Sequence, residues 1–131
     1  MSVSEINSEE KNTTIRLHEG ELNVMELLWS NNELAAKDIA KIIKEYIGWE
    51  KNTTYTVIKR LINKGAISRQ EPGFLCKALV TKKEIQQIEC NDLIQKLFNG
   101  SLDCFINDYL KFQHFTKEEI SSLTSIIRAH R

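Results

Sequence analysis

The sequence predicts a mainly α-helical protein with a small two- to three-stranded β wing. Three observations predict it. Three apolar stripes at a 3.6-residue period end at a glycine, Gly65. Two short strand-like runs, 66–69 and 75–80, then flank the turn at Pro72 and Gly73. Further helical stripes fill residues 82–131. Helix, helix, helix, hairpin is the order of a winged helix-turn-helix domain, whose third helix enters a DNA major groove. Residues 1–14 read as a disordered polar tail, 15–80 as the winged-helix domain, and 81–131 as a three-helix dimerisation domain.

Each element has a local reason. Residues 19–30 form the first helix, with Leu22, Met25, Leu28 and Trp29 as its stripe and Ser30-Asn31-Asn32 as its stop. Leu34-Ala35 fits a short strand or a bare connection. A second helix covers 36–47, with Ile39, Ile42, Ile43 and Tyr46 facing inward, and Gly48 breaks it. Trp49 is expected to pack under the turn into a third helix, 52–64. There Val57, Ile58, Leu61 and Ile62 share one side, and Gly65 supplies a left-handed C-terminal cap. A fourth helix spans 82–98, and Asn99-Gly100 breaks it. A fifth spans 102–111. A sixth starts at Thr116, where Thr116 and Glu119 make the S/T-x-x-E capping pattern.

Net charge carries no hint of a partner, with 18 basic and 18 acidic residues. The distribution does. Between positions 51 and 77 lie six basic residues, Lys51, Lys59, Arg60, Lys64, Arg69 and Lys77, against the single acid Glu71. That local excess of +5 (6 − 1) is an electrostatic footprint of the kind nucleic acid selects. The outer side of the third helix collects Asn52, Thr53, Thr56, Lys59, Arg60 and Asn63, none acidic. Arg or Lys suits guanine, Asn suits adenine, and Thr suits the thymine methyl group. Lys51, Lys64, Arg69 and Lys77 are expected to hold phosphates, which positions a protein without reading sequence. The partner implied is a double-stranded DNA operator.

The C-terminal stripes are too broad for short helices to cover by folding back alone. Leu93, Leu97, Phe98, Leu102, Phe105, Ile106, Tyr109, Leu110, Ile120, Leu123 and Ile127 are therefore expected to pack against a second copy of the chain, giving a two-fold dimer. Cys76, Cys90 and Cys104 are odd in number and widely spaced, so they form no disulfide framework. Cys90 and Cys104, on successive helices, are expected to act as small buried hydrophobes, the alternative being a thiol switch, which needs an exposed, low-pKa Cys. No apolar signal segment or membrane-length run occurs, and the chain reads as cytoplasmic. His18, His114 and His130 lie in separate segments, and no catalytic pairing, phosphate-binding glycine loop, metal site or cofactor site can be placed.

The motifs resemble those of a known family. Glu21, Val24, Met25 and Trp29 match the E-x-x-V-M-x-x-x-W signature of the penicillinase repressor family, which includes β-lactamase, methicillin-resistance and copper-operon repressors. Trp49, Thr53, Arg60, Leu61, Lys64 and Gly65 match its W-x-x-x-T…R-L-x-x-K-G, and Phe98 to Leu102 match its F/Y-N-G-[ST]-L. The resemblance implies a winged-helix domain, a helical dimerisation domain and repression at a dyad-symmetric operator. It places Thr53, Thr56, Lys59 and Arg60 on the recognition helix, and Arg69 and Lys77 on the wing. Three positions depart from it. Phe74 follows the wing glycine where the family has Arg, and Ala78 or Leu79 stands at the wing's Tyr. Asp108-Tyr109 replaces the Asn-Phe bond that a membrane sensor protease cuts in β-lactam-responsive members, which leaves a sensor protease unassigned as a partner. The paired C-x-C motifs of copper-responsive members are absent. The competing reading is a winged helix used as a protein-interaction module without DNA binding, favoured by an exposed aromatic at Phe74.

Overall fold

The computed structural model describes residues 15–130, and the tail expected over 1–14 lies outside them. Its elements run α1 (Glu19–Ser30), β1 (Leu34–Ala35), α2 (Ala36–Tyr46), α3 (Lys51–Lys64), β2 (Ile67–Gln70), β3 (Leu75–Ala78), α4 (Lys82–Phe98), α5 (Leu102–Phe112) and α6 (Lys117–Ala129). The helices match the predicted ones to within a residue or two at each end. The chain divides into two compact units that meet between Glu89 and Cys90, inside α4. The first unit thus takes the opening turns of the helix expected to begin the second. Ile85 and Ile88 explain this, because both are buried in the core that α1–α3 build.

Three amphipathic backs form the centre of that core. α1 buries Val24, Met25 and Leu28; α2 buries Ala36, Ile39, Ala40 and Ile43; α3 buries Val57, Ile58 and Leu61. Spacings of three and four keep each set on one side of its helix. Tyr46 departs from its predicted inward position and is 83% exposed. It sits on the last turn of α2, where the chain turns away at Gly48 and leaves no neighbour to cover it. The Leu34-Ala35 segment is a true strand. It pairs antiparallel with β3, Leu34 opposite Cys76 and Ala35 opposite Leu75, so the sheet order is β1-β3-β2.

Two hydrogen bonds and one ring contact lock this unit. Gly65 adopts φ +84°, and the Ala66 N–H reaches back to the Leu61 carbonyl at 3.0 Å, which ends α3 as predicted. The Trp29 indole N–H donates to the Val80 carbonyl at 2.8 Å, joining α1 to the end of the hairpin across 51 positions. Trp49 lies over Gly20, where an added Cβ would come within 3.4 Å of the indole, so it packs against the start of α1.

The second unit is helical. Asn99-Gly100 breaks the chain between α4 and α5, and α6 opens with the predicted box: Thr116 Oγ1 accepts from the Glu119 N–H at 3.1 Å, and Glu119 Oε1 from the Thr116 N–H at 2.9 Å. A second box at Thr81 and Glu84 opens α4 in the same way. Phe98, Phe105, Tyr109 and Phe115 form a chain of neighbouring rings, 5.2–6.1 Å between centres. Even so, α5 and α6 contain no buried residue.

Candidate nucleic-acid interface

The core orients α3. With Val57, Ile58 and Leu61 buried, and Thr54 beside them, the opposite side of the helix must face solvent. Asn52, Thr53, Thr56, Lys59, Arg60 and Asn63 are all exposed there, together with Lys51. The side carries no carboxylate. The Thr56 hydroxyl donates to the Asn52 carbonyl at 2.9 Å, which spends its proton and leaves its methyl group and oxygen lone pairs outward. A surface of amides, hydroxyls and two adjacent cations can donate to guanine and adenine edges and touch a thymine methyl.

Lys64 does not join this face. Its ammonium lies 2.7 Å from Glu21 Oε1 and 2.8 Å from the Arg16 carbonyl, with Glu21 only 1% exposed. The same Glu21 oxygen accepts the His18 N–H at 2.7 Å, at the start of α1. Burial pushes the Glu21 carboxyl up, but the His18 N–H and the Lys64 ammonium outweigh it and hold the pKa below its ordinary value. Lys64 therefore ties α3 to α1 in the free chain. Its partner went unidentified in the sequence because the pair is 43 positions apart. The available signal was that both residues sit in the quoted family motifs.

The wing residues also divide. On β2 and β3, Ser68 lies opposite Lys77 and Arg69 opposite Cys76. Adjacent strand residues point to opposite faces, so Arg69 and Lys77 leave the wing on different sides. Lys77 is exposed. Arg69 is engaged with the Glu71 carboxylate and lies over the Phe74 ring, 3.6 Å from its centre. Phe74 itself is half-buried and meets Tyr55 of α3 edge-on, ring centres 5.8 Å apart. It is not the exposed aromatic that favoured an interaction module.

The three cysteines are free thiols. Cys76 is buried, which pushes its pKa up to about 11 and keeps it protonated. Cys90 and Cys104 are exposed, contrary to the expectation of buried hydrophobes, because their helices bury so little. Of the residues expected to dimerise, Leu93, Leu97, Leu102, Ile106, Tyr109, Leu110, Ile120, Leu123 and Ile127 are exposed, and Phe98 and Phe105 are half-buried. A groove of about 380 Å³ runs between α5 and α6, lined by Phe105, Ile106, Tyr109, Leu110, Phe115, Ile120, Leu123, Thr124 and Ile127. Among the described residues, no cluster of His, Cys, Asp or Glu could hold a metal ion, and no helix is long and apolar enough to cross a membrane.

Three helices, a three-stranded wing and an acid-free outer side on the third helix define a winged helix-turn-helix module. The solution structure of the DNA-binding domain of the repressor BlaI has this fold: it matches 53% of this chain and 88% of its own, with a TM-score of 0.50 and 24% identity. The penicillinase repressor family model matches residues 17–129, and the chain belongs to that family. The penicillinase repressor of Bacillus licheniformis is 23% identical over 118 residues, covering 88% of this chain and 92% of its own. The methicillin resistance regulatory protein MecI of Staphylococcus aureus is 25% identical over the same length, covering 88% and 96%. The family is one of transcriptional repressors, not enzymes.

Proposed function

We propose that the protein is a homodimeric transcriptional repressor acting in the cytoplasm, which binds a dyad-symmetric duplex operator with α3 in the major groove and the wing beside the backbone. The observation that carries this reading is the outward side of α3. Six side chains able to read bases stand exposed on a helix whose back is anchored in a core, and no acid interrupts them. Asn52, Thr53, Thr56, Lys59, Arg60 and Asn63 read sequence, and Lys51 and Lys77 meet phosphates. The names of the relatives support the repressor role.

The second unit supports the dimer. Chains of about 40 residues usually need oligomerisation or staples to hold a fold. In this unit α5 and α6 bury nothing, yet present aligned Leu, Ile and aromatic side chains. A second copy supplies the same apolar surface by symmetry and covers both. Two α3 helices are then held at a fixed separation, which sets the operator spacing.

The test is selection of bound sequences from random duplexes at two salt concentrations. The expected result is a dyad-symmetric motif with half-sites one helical turn or a small multiple apart, bound with a steep salt dependence. A flat plot of log K against log salt, with no motif enriched, overturns the reading.

A further inference from the structure

The wing tip is fastened to α3 through one aromatic side chain. Phe74 meets Tyr55 at 88° between ring planes, and the Arg69 guanidinium lies over the Phe74 ring. Glu71 then grips both neighbours: it pairs with the Arg69 Nε–H, and its Oε1 accepts the Phe74 N–H at 3.2 Å. The Phe74 carbonyl accepts the Ala36 N–H at 2.9 Å, anchoring the tip to the start of α2 as well. Phe74 holds φ +49°, a left-handed conformation that side chains disfavour. Glycine would adopt it without penalty, so the backbone does not explain a phenylalanine there; the ring contacts do.

We propose that Phe74 is a positioning residue for DNA recognition: it docks the wing onto α3 in the free protein and, with Glu71, withholds Arg69 from the DNA phosphates. This rests on the DNA-binding reading above. A wing held in its bound position loses less freedom when DNA arrives, so affinity is gained without a contact to DNA. Arg69 spends its charge inside the protein, on Glu71 and on the Phe74 ring face.

The experiment combines amide hydrogen exchange on the free protein with salt titrations on the selected operator, for the wild type and the variants Phe74→Gly, Phe74→Tyr, Arg69→Ala, Glu71→Ala and Lys77→Ala. Phe74→Gly permits the left-handed turn and removes the ring, with some added backbone freedom. It is expected to accelerate exchange at the amides of 67–78 and to weaken operator binding, each by about tenfold, the scale of one ring pair plus one cation–ring contact. The slope of log K against log salt stays unchanged, because no phosphate contact is lost. Phe74→Tyr restores both readouts. Arg69→Ala leaves the slope at the wild-type value, Lys77→Ala flattens it, and Glu71→Ala steepens it by about 0.9 for each chain bound as the freed Arg69 finds a phosphate. The inference is overturned if Arg69→Ala flattens the slope as Lys77→Ala does, or if Phe74→Gly leaves wing exchange and affinity at wild-type values. A wild-type chain that binds no duplex overturns the DNA reading itself, and that failure is distinct because it appears before any variant is compared.

Discussion

The two units use equally regular apolar stripes to different ends. In the first, α1, α2 and α3 turn their stripes toward one another, and Val24, Met25, Ile39, Ile58 and Leu61 lose essentially all their exposure. In the second, α5 and α6 carry Leu and Ile at the same spacing, and none is buried. A period of 3.6 says that a helix has an apolar side. It does not say whether the chain itself covers that side. Where a unit closes on itself, its polar residues can be spent on internal ties such as Glu21 with Lys64. Where it stays open, the apolar side remains exposed, which is the basis of the proposed dimer.

The strongest way to break this contrast is to charge the open unit. Leu123→Glu puts a carboxylate into the groove between α5 and α6, where Leu123 is 41% exposed. Sedimentation analysis is expected to show a dimer for the wild type, as proposed, and a monomer for the variant. Operator affinity is expected to drop by about 10²–10⁴-fold, the usual worth of linking two binding modules. The first unit should keep its thermal transition. A variant that stays dimeric would mean that the apolar side of this unit has another use.

Next in size is the tie inside the closed unit. Lys64→Ala leaves the Glu21 carboxylate buried without its cation. Removing one partner of a fully buried pair costs about 3–5 kcal/mol. Lys64 keeps 25% of its side-chain surface exposed, so a loss of about 2 kcal/mol in urea unfolding is expected, with water partly replacing the ammonium. If Lys64 held a phosphate instead, the variant would lose DNA affinity and keep its stability.

This pair marks the boundary of what was legible in the sequence. The helices, the hairpin and the capping box at Thr116 depend on neighbours within a few positions, and each is where periodicity and glycine placed it. The exposed side of α3 was legible for the same reason, since a helix with one buried side must show the other. The roles of Lys64, Arg69 and Phe74 were not. All three depend on contacts between elements: Lys64 with a carboxylate 43 positions away, Phe74 with Tyr55, and Arg69 with the ring and Glu71 together. A basic residue beside a predicted DNA face reads as a phosphate contact until its partner is seen. Tyr46 failed at a helix end, where the stripe outruns the core.

On α3, Lys59→Ala and Arg60→Ala should each weaken operator binding by about 1–3 kcal/mol where the contact to a base is bidentate, and relax preference at one base position. Both residues are exposed on a helix with a buried back, so thermal stability should stay near wild type. Their effect falls on DNA alone, whereas that of Lys64 falls on the fold. Unchanged affinity in both would remove α3 as the reader.

The smallest expected effect is on pH dependence, and it belongs to the closed unit. The Glu21 carboxyl lies below its ordinary value of 4.5 in the folded chain: burial raises it, and the His18 N–H and the Lys64 ammonium more than offset that. A folded-state pKa below the unfolded one means that the unfolded chain binds the proton more readily. The stabilising contribution is therefore fully present above about pH 4.5 and is lost as pH falls through the folded value. Glu71 is lowered too, through Arg69 and the Phe74 N–H, so wild-type acid unfolding reports both groups. Glu21→Gln isolates the first. It should be less stable than wild type at neutral pH, and the gap should narrow steadily on acidification below pH 4.5. Tryptophan fluorescence follows this in the right place, because Trp29 and Trp49 are the chain's two tryptophans and both pack in the first unit. A gap that stayed constant down to the lowest pH would mean that Glu21 gains nothing from its charge, and that the tie to Lys64 is a hydrogen bond in an otherwise neutral site.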